Sequence, residues 1–113
     1  MPFIKLQSNL EIAKNINFIY DVSKFVADIL HKPEKYVMVE LNVNPNMSFG
    51  GSNEPLIYCE LKSIGLPAER TREISKNFMT FLEKETGIPK ERMYIEFSDA
   101  KRNMWGWNGS TFE

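Results

Sequence analysis

The chain contains an internal repeat, and this repeat restricts the possible folds more than any other feature of the sequence. Residues 32–41, KPEKYVMVEL, align without a gap with residues 88–97, IPKERMYIEF. Residues 2–4, PFI, are matched by residues 55–57, PLI, about half a chain later. Self-similarity of this kind indicates that one supersecondary unit occurs twice.

The first half of the chain reads as a strand, a helix, a turn and a second strand. Alternation over residues 2–6 indicates the first strand, and residues 8–14 form a polar, turn-like segment. Apolar residues then recur at helical spacing, namely Phe18, Ile19, Val22, Phe25, Val26, Ile29 and Leu30. Pro33 ends that helix, because proline disfavours helical geometry at the residue before it. Alternation over residues 37–43 predicts the next strand.

The second half follows the same plan. A loop over residues 44–55 leads into a strand over residues 56–63. Pro67 fits the first position of a second helix, and Gly87 ends it. The apolar stripe of this helix consists of Ile74, Phe78, Phe81 and Leu82. Residues 93–97 alternate again and predict a fourth strand.

Each half is therefore a βαβ unit. Two such units that share one sheet form an α+β domain, a split βαβ fold with a four-stranded mixed sheet and both helices on one face. The other face has apolar members and no third helix to cover it, so we expect the chain to oligomerise. We expect one domain over residues 1–113, because this length supports a single core.

Composition argues against several classes of function. The formal net charge is −1, so nucleic acid is not an expected partner, and no apolar run approaches the ~20 residues that a membrane span needs. Cys59 and His31 are each the only residue of their type, so we expect no internal disulfide and no cysteine or histidine metal site. The first residues contain no apolar segment followed by a cleavage site, which favours a cytoplasmic protein.

Pro2 is the first candidate for chemistry. If Met1 is removed, Pro2 carries a free secondary amine, and a strand held in a sheet would keep that amine in one place. An amine in an apolar pocket has a lowered pKa because its charged form is desolvated, so it can act as a base near neutral pH. The alternative is a proline at a chain start, where it removes no hydrogen bond from the sheet.

Five segments together resemble the macrophage migration inhibitory factor family of the tautomerase superfamily. They are Pro2 behind Met1, Lys32-Pro33, residues 50–55 (GGSNEP), residues 63–65 (SIG) and residues 107–112 (WNGSTF). The resemblance covers essentially the whole chain, in order. It implies a homotrimer in which three sheets form a barrel, with active sites between subunits. It also implies cofactor-free keto–enol tautomerisation of phenylpyruvate-like α-keto acids and dopachrome-type compounds, with Pro2 as the base.

The resemblance assigns further residues to the substrate site. Lys32 would receive the substrate carboxylate as a point charge; the alternative is a solvated lysine at a helix C-terminus, where cations are favoured. Ile64 matches a position whose backbone N–H helps to hold the carboxylate, although its side chain can simply pack. Tyr94 matches a tyrosine that enters a neighbouring subunit's pocket, and the alternative is an exposed strand tyrosine.

Glu96, Trp107 and Phe112 complete the predicted substrate site. Glu96 departs from the asparagine of mammalian relatives, and an ionised carboxylate accepts hydrogen bonds but donates none. Such a carboxylate would repel an acidic group but accept a hydrogen bond from a phenol, so the substrate preference of the mammalian relatives does not carry over directly. Phe112 and the two tryptophans, Trp105 and Trp107, would form the aromatic wall and a subunit contact; plain core packing is the usual role of such tryptophans.

A second hypothesis is a secreted, cytokine-like protein that binds a host or cell-surface receptor, with the pocket vestigial or used for docking. The family is exported without a signal peptide. Two departures bear on these roles. Residues 56–59, LIYC, keep only the second cysteine of the mammalian CxxC, so Cys59 has no resolving partner and we expect no thiol–disulfide exchange. The arginine and aspartate with which mammalian relatives mimic a chemokine fall near Ile12 and Asn44 in this chain, so the sequence does not favour that receptor contact.

Overall fold

The computed structural model describes residues 1–11 and 16–113, so Ile12 and the end of the predicted turn, residues 12–14, lie outside the described part of the chain. The elements in chain order are β1 Phe3–Ser8, α1 Ile16–Leu30, β2 Met38–Val43, β3 Ile57–Ile64, α2 Thr71–Thr86, β4 Met93–Ala100, β5 Gly106–Trp107 and β6 Ser110–Thr111. Neither described helix is long and apolar enough to cross a membrane.

The four long strands form one mixed sheet in the order β2-β1-β3-β4. The strands of each βαβ unit pair in parallel, β1 with β2 and β3 with β4, and the two units meet where β1 and β3 pair antiparallel. This confirms the predicted duplicated α+β fold. The first strand is an inner strand with a partner on each side, so the start of the chain is held firmly in the sheet.

One core lies between the sheet and the two helices. Alternate residues of β1 and β3 face it, and the apolar stripes of both helices pack onto them. The buried members are Ile4, Leu6, Phe18, Val22, Val26, Leu30, Ile57, Cys59, Leu61, Leu66, Ile74, Phe78, Leu82, Ile88 and Met93. Both helices therefore cover the same face of the sheet, as the sequence predicted.

The opposite face of the sheet is open in the described chain. Three rows of side chains cross it: Met38, Phe3, Lys62 and Ser98; Glu40, Lys5, Glu60 and Glu96; Asn42, Gln7, Tyr58 and Tyr94. The expected apolar members are present, but the middle row is entirely charged. An apolar cover over the whole face would desolvate those charges at high cost, so hydrophobic coverage is not a sufficient reason for oligomerisation.

The proline-initiated turns confirm the repeat in atomic detail. Pro33 and Pro89 both have extended backbones and lead into short 3-10 turns, Glu34–Tyr36 and Lys90–Arg92. Pro67 does the same before Ala68–Arg70, and α2 starts only at Thr71. The prediction that Pro67 occupies the first position of the helix was therefore wrong. Its ψ of 124° is not helical, because the chain must first turn out of β3.

Several element ends differ from the predicted ones. Ser8 belongs to β1 rather than to the turn: it is buried, and its hydroxyl donates to the Leu56 carbonyl at 2.7 Å while accepting from the Leu10 N–H at 3.0 Å. Strand β3 is shifted by one residue and includes Ile64. Strand β4 continues three residues past Phe97, because its parallel partner β3 is equally long.

Arg92 fastens the β2–β3 loop to the start of β4. Its guanidinium group donates to four backbone carbonyls, those of Phe49 at 2.7 Å, Ser52 at 3.1 Å, Glu54 at 2.9 Å and Pro55 at 3.3 Å. The guanidinium also lies over the Phe49 ring, 5.3 Å from its centroid. One side chain thereby holds four carbonyl groups of this loop, three of which also accept a second hydrogen bond, from the Ser52 N–H, the Phe49 N–H or the Asn9 side chain.

Replacing Arg92 with alanine should lower the free energy of unfolding by about 2–3 kcal/mol, since several charge-assisted hydrogen bonds are lost together. Urea unfolding at one fixed protein concentration measures this. Arg72→Ala is the matched control, because Arg72 is exposed on α2, and it should change stability by less than about 0.5 kcal/mol. Equal effects of the two variants would show that the loop does not depend on Arg92.

Candidate functional site

A cavity of about 350 Å³ opens at the start of β1. It lies where the first residues of β1 and β2 meet the C-terminal hairpin β5–β6. The lining residues are Met1, Pro2, Phe3, Lys35, Tyr36, Val37, Met38, Lys62, Trp105, Gly106, Trp107 and Phe112. The walls are thus mostly apolar or aromatic, with cationic side chains among them, a composition suited to a small organic anion.

Three aromatic rings form one wall of this cavity. Tyr36 meets Trp107 and Phe112 edge-on, with ring centroids 5.3 and 5.7 Å apart, and Trp107 stacks on Phe112 at 5.6 Å. These are favourable geometries for aromatic pairs. The predicted aromatic residues Trp107 and Phe112 therefore lie together beside Pro2.

The hairpin that carries this wall closes through Asn108-Gly109. Both residues have left-handed backbones, with φ of 52° and 77°, as a two-residue hairpin turn requires. Phe112 is held at the end of the hairpin, where its N–H lies 3.2 Å from the carbonyls of both Arg102 and Trp105. The Arg102 guanidinium group donates to the Phe112 carbonyl at 3.0 Å. The wall is thus fixed by backbone bonds as well as by ring contacts.

Lys32 is positioned by the way α1 ends. His31 adopts a left-handed backbone with φ of 55°, its N–H reaches the Asp28 carbonyl at 3.3 Å, and the Lys32 N–H reaches the Ala27 carbonyl at 3.0 Å. This is the Schellman pattern of helix termination, with histidine in the position that glycine usually occupies. The helix therefore ends one residue earlier than Pro33 alone required, and Lys32 turns toward the sheet.

The Lys32 ammonium group lies beside the chain terminus and Ile64. Its Nζ donates to the Ile64 carbonyl at 3.2 Å. Burial and, to a smaller extent, the charge of Lys32 lower the pKa of the Met1 amine from 8.0 to about 6. The Met1 amine is thus largely neutral at pH 7.

Pro2 is fully buried between its neighbouring strands. Its carbonyl accepts the Met38 N–H at 3.0 Å, which extends the β1–β2 pairing by one residue. Continuing the β1–β3 register past Phe3 and Lys62 places Ile64 opposite Met1. While Met1 is attached, the Pro2 nitrogen is an amide and has no basicity.

Tyr94 and Glu96 lie away from this cavity within the chain. Both are on β4, which is separated from β1 by β3. Tyr94 is 63% exposed and packs against Phe49, with ring centroids 4.7 Å apart, at a different cavity of about 370 Å³. Glu96 is exposed and lies opposite Glu60 on the open face. These two residues can reach a site like this one only in another subunit.

The remaining reactive groups stay outside the site. Cys59 is 1% exposed, and burial raises the pKa of its thiol, which keeps the thiol neutral and unreactive. Within residues 1–11 and 16–113, no group of three or more His, Cys, Asp or Glu side chains is arranged to hold a metal ion.

Several lining residues were not among the predicted site residues, chiefly Lys35, Tyr36 and Lys62. For Tyr36 a signal existed, because the repeat aligns it with Arg92, and both end a proline-initiated 3-10 turn shortly before a strand. Lys62 gave no such signal. Its place beside the cavity depends on the β1–β3 register, which pairs it with Phe3, and the sequence does not reveal register directly.

A duplicated βαβ sheet with a buried proline at position 2 beside an aromatic cavity has the fold of the tautomerase superfamily. The family model described as macrophage migration inhibitory factor matches residues 1–113. A homolog of that factor from Trichinella spiralis is 40% identical over 115 residues, which cover 99% of this chain and 100% of the relative. The chain belongs to the macrophage migration inhibitory factor family.

Solved structures agree with this assignment. The crystal structure of a macrophage migration inhibitory factor homologue from Prochlorococcus marinus matches with a TM-score of 0.89 and 42% identity. The match covers 98% of this chain and 99% of the Prochlorococcus chain. The structure of the factor from Trichinella spiralis has a TM-score of 0.91 and 38% identity, with coverage of 97% and 99%.

Replacing Lys32 with glutamine should raise the pKa of the Met1 amine in protein that retains Met1. The shift should leave the pKa below 8.0, because burial is the larger cause and remains. NMR titration of the Met1 Hα resonance measures the pKa. Lys76→Gln, an equal loss of charge on the exposed face of α2, should leave it unchanged. A pKa unaltered by Lys32→Gln would contradict the electrostatic role of Lys32.

Proposed function

We propose that this protein is a cofactor-free keto–enol tautomerase of phenylpyruvate-like α-keto acids, and that Pro2 is its general base and acid once Met1 is removed. The observation that carries the proposal is the position of Pro2, which is fully buried and lines an aromatic cavity. Burial and the charge of Lys32 lower the pKa of the preceding Met1 amine to about 6, and we expect the same surroundings to lower the pKa of a Pro2 amine. An amine that is neutral at pH 7 can accept a proton, and its conjugate acid can return it.

The chemistry requires one group that moves a proton between two positions. In the keto-to-enol direction, the Pro2 nitrogen takes a proton from the carbon next to the carbonyl. The electron pair of that C–H bond forms the C=C bond, and the carbonyl oxygen gains a proton to become the enol hydroxyl. The nitrogen passes on the proton that it received, so no oxidant or cofactor takes part.

Lys32 is suited to hold the substrate carboxylate. An ammonium group has three donors, and Lys32 uses one on the Ile64 carbonyl. The register places Met1 opposite Ile64, so removal of Met1 frees space beside Lys32 for an anion. The Ile64 N–H is the proposed second donor to that carboxylate.

The site is completed by a second subunit in a homotrimer. Strands β2 and β4 are the two edges of the sheet, and a closed ring of subunits removes such unpaired edges. Tyr94 and Glu96 lie on β4, away from the Pro2 cavity of their own chain. In a trimer they belong to the neighbour's pocket, where the Glu96 carboxylate accepts a hydrogen bond from a substrate hydroxyl.

Replacing Pro2 with glycine should lower kcat/KM for phenylpyruvate tautomerisation by at least about 100-fold, the usual contribution of general acid–base catalysis. The rate is measured from the absorbance of the enol. Mass spectrometry first verifies that the protein lacks Met1. For that protein, kcat/KM should rise with pH through a midpoint below the ~8 of an ordinary terminal amine, because only the neutral amine is active.

Two controls accompany this measurement. Pro55→Gly changes the matching proline of the other repeat, which is exposed, and should retain activity. One alanine inserted between Met1 and Pro2 keeps the proline nitrogen in an amide and should abolish activity. Equal rates for wild type and Pro2→Gly would refute the catalytic role. Receptor binding that survives Pro2→Gly while tautomerisation is absent would favour the cytokine-like alternative.

The assembly is tested separately. Light scattering on the purified protein should give a mass near three times the 13.2 kDa of the chain. Glu96→Gln should not change that mass, but should change the relative rates of substrates with and without a phenol group. A stable monomer would exclude a pocket built from two chains.

A further inference from the structure

Ser63 on β3 carries a buried hydroxyl group without a hydrogen-bond partner. Within residues 1–11 and 16–113, its Oγ atom is the one buried side-chain oxygen or nitrogen that makes no hydrogen bond, and the residue is 1% exposed. Ser8, the other buried serine of the described chain, donates to the Leu56 carbonyl at 2.7 Å. An unpaired buried hydroxyl destabilises a fold, so Ser63 requires an explanation other than packing.

The sheet places Ser63 directly opposite Pro2. Phe3 pairs with Lys62 in the antiparallel β1–β3 register, so the next pair towards the start of the chain is Pro2 with Ser63. Pro2 and Ser63 are both buried, whereas Lys62 is exposed on the open face. Successive side chains alternate between the two faces of a sheet, so Pro2 and Ser63 share the face that the helices cover.

This pair is of the closely spaced kind. The Pro2 carbonyl accepts the Met38 N–H on β2 at 3.0 Å, so the backbone of Pro2 points away from β3. Antiparallel neighbours whose backbone groups point away from each other form the non-hydrogen-bonded type of pair, with Cα atoms about 4.5 Å apart and side chains close together. This spacing brings the Ser63 side chain next to the proline ring, which includes the Pro2 nitrogen.

The chemical state of the Pro2 nitrogen decides whether it can pair with Ser63. While Met1 is attached, this nitrogen is an amide without a hydrogen atom, and it neither donates to Ser63 nor accepts from it. Removal of Met1 leaves a secondary amine, which has one N–H and one lone pair when neutral and two N–H groups when protonated. The unpaired Ser63 hydroxyl therefore belongs to the form of the chain in which Met1 is present.

We propose that Ser63 is a positioning residue for the base: once Met1 is removed, the Ser63 hydroxyl accepts a hydrogen bond from one N–H of Pro2. That N–H stays on the nitrogen throughout the reaction. The other free position on the nitrogen then faces the aromatic cavity, where it takes the proton from the substrate and returns it. The inference rests on the proposed tautomerase function and adds how its base is oriented.

The first test is the pH dependence of activity in protein that lacks Met1. Ser63→Ala should lower the maximal kcat/KM for phenylpyruvate by about three- to tenfold, the value of one hydrogen bond. The midpoint of the pH profile should also move to lower pH. The hydroxyl oxygen stabilises the protonated amine more than the neutral one, so its loss lowers the pKa of Pro2. An unchanged midpoint would overturn the proposal.

Ser8→Ala is the matched control, because it removes a buried hydroxyl from the same sheet at the far end of β1. It should leave the midpoint of the pH profile at its wild-type position. An equal movement of the midpoint in Ser8→Ala and Ser63→Ala would show a general effect on the sheet and would contradict the specific role of Ser63.

A stability comparison distinguishes this role from packing. In protein that lacks Met1, Ser63→Ala should lower the urea midpoint of unfolding, because a hydrogen bond is lost. With one alanine inserted between Met1 and Pro2, the nitrogen is again an amide. There, Ser63→Ala should leave the urea midpoint unchanged or raise it, because an unpaired hydroxyl is removed. Ser8→Ala should lower the midpoint in both proteins. The same effect of Ser63→Ala in both would reduce Ser63 to a packing role and overturn the proposal.

An NMR titration separates this inference from the tautomerase proposal, because it needs no catalysis. The Hδ resonances of Pro2 report the pKa of its amine in protein that lacks Met1. A lower pKa in Ser63→Ala than in wild type and Ser8→Ala supports the hydrogen bond even if phenylpyruvate is not converted. Equal pKa values in the three proteins contradict it. Wild-type protein that is active, with a pH profile unaffected by Ser63→Ala, would refute the role of Ser63 and leave the tautomerase function intact.

Discussion

The antiparallel pairing of β1 with β3 is the contact on which the rest of the structure depends. It joins two βαβ units that would otherwise be separate parallel pairs, and it makes β1 an inner strand. An inner strand cannot fray as terminal segments usually do. Pro2 therefore sits, fully buried, in a fixed position. Ordered chain ends are uncommon, and here the order has a chemical consequence.

That consequence is a lowered pKa of the amine at the start of the chain. The Met1 amine is partly buried and lies near the Lys32 ammonium group, so its pKa falls to about 6. Lys32 is in place because α1 ends in a left-handed His31 rather than continuing toward Pro33. The helix end, the sheet centre and the hairpin thus contribute three separate parts of one site.

The two repeats have diverged at the residue that ends each of their matching turns. In the first unit, the 3-10 turn after Pro33 ends in Tyr36, whose ring contributes to the aromatic wall. In the second unit, the equivalent turn ends in Arg92, which fastens the β2–β3 loop and supports Phe49 beneath Tyr94. The same kind of turn therefore contributes to a cavity wall in the first half and fastens a loop in the second. The charged middle row of the open face is a further departure from a simple apolar surface, and it is compatible with a solvated interior in a closed assembly.

Local sequence signals were enough to establish the duplicated βαβ plan and the apolar faces of the helices, because hydrophobic periods of 2 and 3.6 and the proline turns act over short stretches of chain. The sequence also identified Pro2, Lys32, Trp107 and Phe112 as site candidates. The folded structure was needed to show that Lys35, Tyr36 and Lys62 border the same cavity and that Tyr94 and Glu96 do not. These relations depend on strand order and register, which arise from contacts between residues far apart in the chain. The lowered pKa of the Met1 amine likewise required the folded structure, since burial and a neighbouring charge exist only once the chain has folded.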